Sequence, residues 1–273
     1  MDMKIRKSVI AGTWYPGNAG ALKNMMERYF KDVRQKPVKE NIVGLISPHA
    51  GYIYSGKTAA HGYAQLAGHF YDTVVLLSPL HQWPVGRFAI RDCDAYQTPL
   101  GNVPLDHGFI AKLRKQTDVD LIQDENEHSI EIQLPMLQHV MKDMRIVPVM
   151  IGEWDMDQCD AFIDALTKVS KGSRVLIIAS SDLYHIENYQ LVKEKDEAVI
   201  RAVESFDLMR IREALSGPDC TVCGRVPIMI MLSVAGRLGA THVKILHHTT
   251  SGDITGDRRA GQYTVGYLSA AVY

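Results

Sequence analysis

The chain has 273 residues, 46% of them hydrophobic, which is enough material for one large core. Its formal net charge is -1, so there is no basic surplus to neutralise a phosphate backbone, and nucleic acid is excluded as a first partner. No apolar run approaches the ~20 residues a membrane helix requires.

Residues 1–10 carry charges with no apolar stretch behind them, unlike a secretory leader. The four cysteines at 93, 159, 220 and 223 are too scattered for a disulfide scaffold. A cytoplasmic protein without membrane contact is expected.

In chain order, helical spacing over 19–35 leads to a β-branched apolar run at 42–47 that reads as a buried strand. A helix is expected over 55–69, with Ser55 placed to cap its first turn. A second buried strand follows at 73–78. Residues 88–105 differ: Pro99, Gly101 and Pro104 mark turns, which suggests a hairpin or a sheet edge. Helical spacing over 126–141 is broken by Pro135, which kinks or splits it. Strands at 145–151 and 173–180 alternate with helices over 155–170, 188–206 and 225–238, and 261–272 reads as a final strand. The strands are continuously apolar, as strands covered on both faces are. The pattern predicts an α/β fold, with a mostly parallel central sheet flanked by helices, in a single domain over residues 1–273.

In such sheets ligands bind beyond the carboxyl ends of the strands. Three polar clusters fall there: Ser47-Pro48-His49 through Tyr52, Ser78-Pro79-Leu80-His81, and Ser180-Ser181-Asp182 through His185. One histidine after a strand is commonly a hydrogen-bonded loop residue. Three in equivalent positions converge on one edge and mark a shared pocket. Cys220-Thr221-Val222-Cys223 precedes a helix. The pair fits zinc, a redox dithiol or small buried side chains, and a helix N-terminus beyond it favours thiolate at Cys223. His128 and Glu131 share a helical face in a run that otherwise reads as a solvated first turn, with a contribution to the pocket as the alternative. His61 and His69 read as packing or surface residues. His247 and His248, adjacent in a strand, point to opposite faces. Residues 251–259 have the composition of a mobile loop.

Ala11-Gly12-Thr13-Trp14-Tyr15-Pro16, Pro48-His49-Ala50-Gly51-Tyr52, Ser78-Pro79-Leu80-His81, Glu127-His128-Ser129-Ile130-Glu131, Ser180-Ser181-Asp182 with His185, and Cys223-Gly224-Arg225 occur in this order. Together they resemble the Memo family over nearly the whole chain. That family is similar in fold to class III extradiol dioxygenases, non-haem iron enzymes. The resemblance implies metal-liganding positions at His49, His81 and Cys223, with Asp182 and His185 close by as catalytic neighbours; as pocket residues, Tyr52 or Tyr54 would join the histidines in holding a ligand in a binding role, and His128 would contribute to the same pocket. His185 would serve as general acid or base. Asp182 would fix its tautomer or contact the metal. Fe(II) or copper is the implied cofactor, and zinc fits as well. A cysteine where the dioxygenases have a carboxylate weighs against ring cleavage.

The implied function is a metal-dependent oxidoreductase. The alternative is a non-enzymatic binding module for an anionic or phosphotyrosine-type peptide. In prokaryotic settings the resemblance implies radical-SAM and AMMECR-type proteins as partners, besides a small-molecule or peptide ligand.

Overall fold

The computed structural model describes residues 3–81, 87–152 and 156–273. The strands are β1 (Ile5–Arg6), β2 (Gly44–Ser47), β3 (Thr73–Pro79), β4 (Phe88–Arg91), β5 (Ala95–Thr98), β6 (Gly101–Pro104), β7 (Asp120–Ile122), β8 (Ile146–Ile151), β9 (Val175–Ser180), β10 (Asp182–Ile186), β11 (Val243–Thr250) and β12 (Thr264–Val272). The α-helices are α1 (Ala19–Lys31), α2 (Lys57–Tyr63), α3 (His107–Arg114), α4 (His128–Glu131), α5 (Leu134–Val140), α6 (Met156–Ser170), α7 (Tyr189–Ser205), α8 (Leu208–Ser216), α9 (Arg225–Arg237) and α10 (Ser251–Thr255).

The continuously apolar runs form the centre of the large sheet. Strands β2, β9, β3 and β8 lie side by side, parallel, and every residue of the four is buried. Beyond them the expectation of a mostly parallel sheet fails, and the sheet is mixed. Strand β12 runs antiparallel to β2, β10 and β11, and β4 runs antiparallel to β8. Connection length explains the reversal at β4. Residues 80–87 join β3 to β4, too few for the crossover helix that a parallel return demands. Residues 88–105 supply both an edge and a hairpin. Strand β4 joins the large sheet, while β5 and β6 pair across a turn where Gly101 takes φ 122°. With β1 they form a separate three-stranded sheet.

Pro135 splits the expected 126–141 helix into α4 and α5, standing in the first turn of α5, where its missing N–H costs nothing. Ser55 does not cap α2. Residues Tyr52–Gly56 form a π-helical turn running straight into it, and the Ser55 hydroxyl instead donates to the Ala50 carbonyl at 2.7 Å. Residues 251–259 are not a mobile loop throughout. Thr250 and Asp253 build a reciprocal capping box that opens α10. The buried apolar side chains form one cluster from Ile10 to Val272. Among the described residues no helix is long and apolar enough to cross a membrane.

His247 and His248 point to opposite sides of β11. His248 Nε2 meets the buried Asp196 carboxylate at 2.9 Å. His247 stacks on His61 of α2, with centroids 4.3 Å apart and planes 13° from parallel, and its Nδ1 lies 3.0 Å from the Thr58 hydroxyl. Burial, reinforced by the neighbouring His61, pushes His247 down to about 4. Between that value and the ordinary histidine range the unfolded ring holds a proton that the folded one lacks, so stability rises with pH across this window. His247→Gln should flatten the rise between pH 4 and 6.5 by roughly 1–2 kcal/mol, allowing for the ring's partial exposure. Urea unfolding at the two pH values measures this, and an unchanged slope would contradict it.

Candidate functional site

Strands β2, β9 and β3 end side by side; the chain leaves β2 and β3 into polar loops and passes from β9 through Ser181 into β10. His49 follows β2, Asp182 and His185 follow β9, and His81 follows β3. Cys223 reaches the same place from the turn before α9. Gly224 makes this approach feasible, since a Cβ there would lie 2.3 Å from Ser181 Cβ and 2.5 Å from the Ser180 carbonyl oxygen. Its N–H donates to the Ser181 hydroxyl at 3.0 Å. The donor atoms of His49, His81 and Cys223 all lie within 4.8 Å of one another, and Cys223 Sγ is 3.0 Å from His49 Nε2.

Hydrogen bonds fix which nitrogen each ring offers. The Ser180 hydroxyl has one proton, which it donates to the Ser129 carbonyl at 2.7 Å, and it accepts from the Gln133 amide at 2.7 Å. His49 Nδ1, 3.0 Å from that oxygen, must therefore be the donor, which leaves Nε2 bare toward Cys223. At His81, Nδ1–H donates to Glu127 Oε1 at 3.0 Å and the backbone N–H donates to Oε2 at 2.7 Å, so Nε2 is again unprotonated. At His185, Nδ1 lies 3.2 Å from the Leu183 carbonyl, with the same consequence.

Glu127 was not singled out in the sequence by itself, yet it organises this side of the site. It is almost fully buried, and its carboxylate also takes the His128 N–H, the Ser129 N–H and the Ser129 hydroxyl, capping α4. Burial opposes its ionisation, but the His81 ring and N–H hold it well below the usual carboxylate range. The run around it is not a solvated turn. Glu125, Glu127 and Glu131 are all buried, the outer two paired with Arg6.

His128 packs on His81 with centroids 4.6 Å apart, and Trp14 covers His128 at 4.3 Å. Burial lowers His128 to about 4 and keeps His49 and His185 below the ordinary histidine value. The Asp182 carboxylate accepts the His49 N–H at 2.8 Å, and burial raises it to about 7, so this group exchanges a proton near neutrality. Burial likewise pushes the Cys223 thiol up, overriding the thiolate preference read from the nearby helix.

A cavity of about 480 Å³ opens over these groups, lined by His49, His81, His128, Asp182, His185 and Cys223, with Trp14, Tyr54 and Tyr263 around it. Tyr52 is not brought to it. Its ring lies in the core and its hydroxyl donates to the Ile132 carbonyl at 2.9 Å. Gln133, which with Ser180 orients His49, and Tyr263 carried no sequence signal; Ser180 and Trp14 stood within quoted motifs without an assigned role. A larger groove of about 740 Å³, lined by residues including Lys23, Lys142 and Arg145, lies apart from these groups.

The sequence model described as Memo-like protein matches residues 6–271. The chain belongs to the Memo family. A MEMO1 family protein of Methanosarcina mazei is 34% identical, the alignment covering 99% of this chain and all of the relative. Memo relatives from Thermotoga neapolitana and Nitrosopumilus maritimus are 36% and 32% identical, over 97% and 96% of this chain and 99% and 98% of their own lengths. The Memo match thus takes in every strand and loop that builds the cavity.

Proposed function

We propose that this Memo protein is a metal-dependent oxidoreductase whose ion is held by His49 Nε2, His81 Nε2 and Cys223 Sγ. The supporting observation is the pair of imidazoles with Nδ1–H tied to Ser180 and Glu127, which leaves two bare nitrogens beside a thiol. A carboxylate behind a histidine is the usual device for orienting a metal-bound ring. Donor atoms within 4.8 Å of one another suit a common centre at bonds of about 2.0–2.3 Å. Two imidazoles with a thiolate favour copper or zinc and accommodate Fe(II); a redox role selects copper or iron.

A bound ion would supply Lewis-acid or one-electron chemistry at the cavity floor. The chain's own groups supply the proton traffic: the Asp182 carboxyl holds or releases a proton near neutral pH, and bare His185 Nε2 accepts one. Trp14, tilted against His128 with centroids 4.3 Å apart, forms part of the cavity wall above the floor.

Protein purified anaerobically is expected to carry close to one equivalent of iron or copper by elemental analysis. His49→Ala and His81→Ala should each abolish it. Glu127→Gln, which keeps shape but loses the negative charge behind His81, should weaken metal binding roughly 10–100-fold. Full metal retention in both alanine variants would rule this assignment out.

A further inference from the structure

We propose that the cavity takes an uncharged aromatic molecule, held against the rings of Trp14, Tyr54 and Tyr263, and selects against carboxylates and phosphates. The inference deepens the oxidoreductase reading and rests on it for the guest's role as substrate; the binding itself is measured without metal.

Four large apolar side chains that stay exposed converge on this one opening: Trp14, Ile53, Tyr54 and Tyr263, at 36%, 63%, 38% and 53% exposure. They come from separate parts of the chain: the loop after β1, the π-helical turn before α2, and the approach to β12. Each leaves apolar surface in water unless a guest covers it, and such convergence marks a binding surface rather than scattered exposure. The flat faces arrive already supported. Trp14 leans on His128 at 4.3 Å, and Tyr263 stands 6.2 Å from His185. Little side-chain order would therefore be lost when a ring packs against them.

The charge pattern narrows the class further. Among the described residues no lysine or arginine lines the cavity, and its floor includes the Asp182 carboxyl. The separate groove beside α1 does hold Lys23, Lys142 and Arg145, so the fold has cations but keeps them from this opening. An anion would lose its hydration without gaining a charged partner from the chain. A volume of about 480 Å³ suits a guest of one or two fused rings with a polar end at the floor.

The test is calorimetric titration of the full chain, stripped with a chelator and kept reduced, with 2-naphthol and with its anionic counterpart 2-naphthoate. Saturable one-to-one binding of 2-naphthol is expected, with 2-naphthoate at least tenfold weaker. Trp14→Ala and Tyr263→Ala should each weaken 2-naphthol by about 3–10-fold, the span of one aromatic contact. Trp14→Phe and Tyr263→Phe should restore most of that loss, which also serves if an alanine variant folds poorly. Equal affinity for the two probes, or no effect of either alanine change, would overturn the proposal. A chain that carries no metal yet binds 2-naphthol as described would sink the metal assignment and support this one. A chain that carries metal but never binds 2-naphthol would do the reverse.

Discussion

Serine in place of Cys223 should strip the protein of its metal, with affinity falling by more than the roughly 100-fold upper range seen for loss of a supporting group. The other two donors are neutral imidazoles, so the thiol is the one proposed ligand that can bring negative charge to the ion, and a serine hydroxyl does not ionise in its place. Cys220 provides the control. It is partly exposed, and its thiol interacts with the Tyr184 hydroxyl rather than with His49. With no second cysteine pair among the proposed ligands, it cannot complete a closed zinc site. Cys220→Ser should therefore leave metal stoichiometry intact by elemental analysis. An equal loss from both substitutions would point to a dithiol and against the His49, His81 and Cys223 set.

Glu131→Ala should be the most destabilising single change outside the cavity, by about 3–5 kcal/mol. That corresponds to a drop in melting temperature on the order of 10 °C. Glu131 is wholly buried and pairs with Arg6, which is itself only 2% exposed in its side chain. It also accepts the Tyr15 hydroxyl at 2.6 Å and the Val9 N–H at 2.9 Å. Alanine would leave Arg6 with Glu125 and the Lys7 and Glu127 carbonyls, would leave the Tyr15 hydroxyl only its 3.4 Å contact to the Ser8 hydroxyl, and would orphan the Val9 N–H. Glu131→Gln, which keeps the shape, should lose less. Calorimetric melting of the two variants decides it. A loss below 1 kcal/mol for alanine would show that this carboxylate does not clamp the N-terminal segment.

The same carboxylate shows where reading a sequence stops. The buried core strands were legible because hydrophobicity is local: residues 73–78 and 175–180 have no polar face, and the structure buries both faces. The convergence of His49, His81 and His185 on one edge was legible for the same reason, since strand ends and parallel order fix it. Glu131 looked like a solvated helical residue because its partner, Arg6, lies 125 positions away, and no local pattern announces such a pair. Strand β10 shows in the sequence only as a polar cluster beyond a strand end. Its register against β12 shifts between Asp182 and His185, and the Asp196 carboxylate takes the Tyr184 N–H. A bulged strand carrying polar site residues lacks the alternation that marks a regular one. Helix α3 buries Phe109, Ile110 and Leu113 and is capped by Asp106, but its eight residues make too short a window for a clear period in the sequence. The mixed sheet is not legible in the strands themselves, because strand direction depends on connections, not on strand composition.

Strand β12 has one further consequence. Its nine residues pair with β2 on the way into the sheet, with β10 beside the site, and with β11 along most of their length. The strand that ties Asp182 and His185 to the rest of the sheet is thus translated after every residue that would touch the ion. During synthesis the early strands can assemble, but the cavity wall has no backing until residues 264–272 leave the ribosome. A nascent chain would hold its histidines and its thiol near one another without the geometry to bind selectively. Selective binding of an ion would then begin only once β12 is in place, and the choice of ion would depend on which metals the protein meets from that point on.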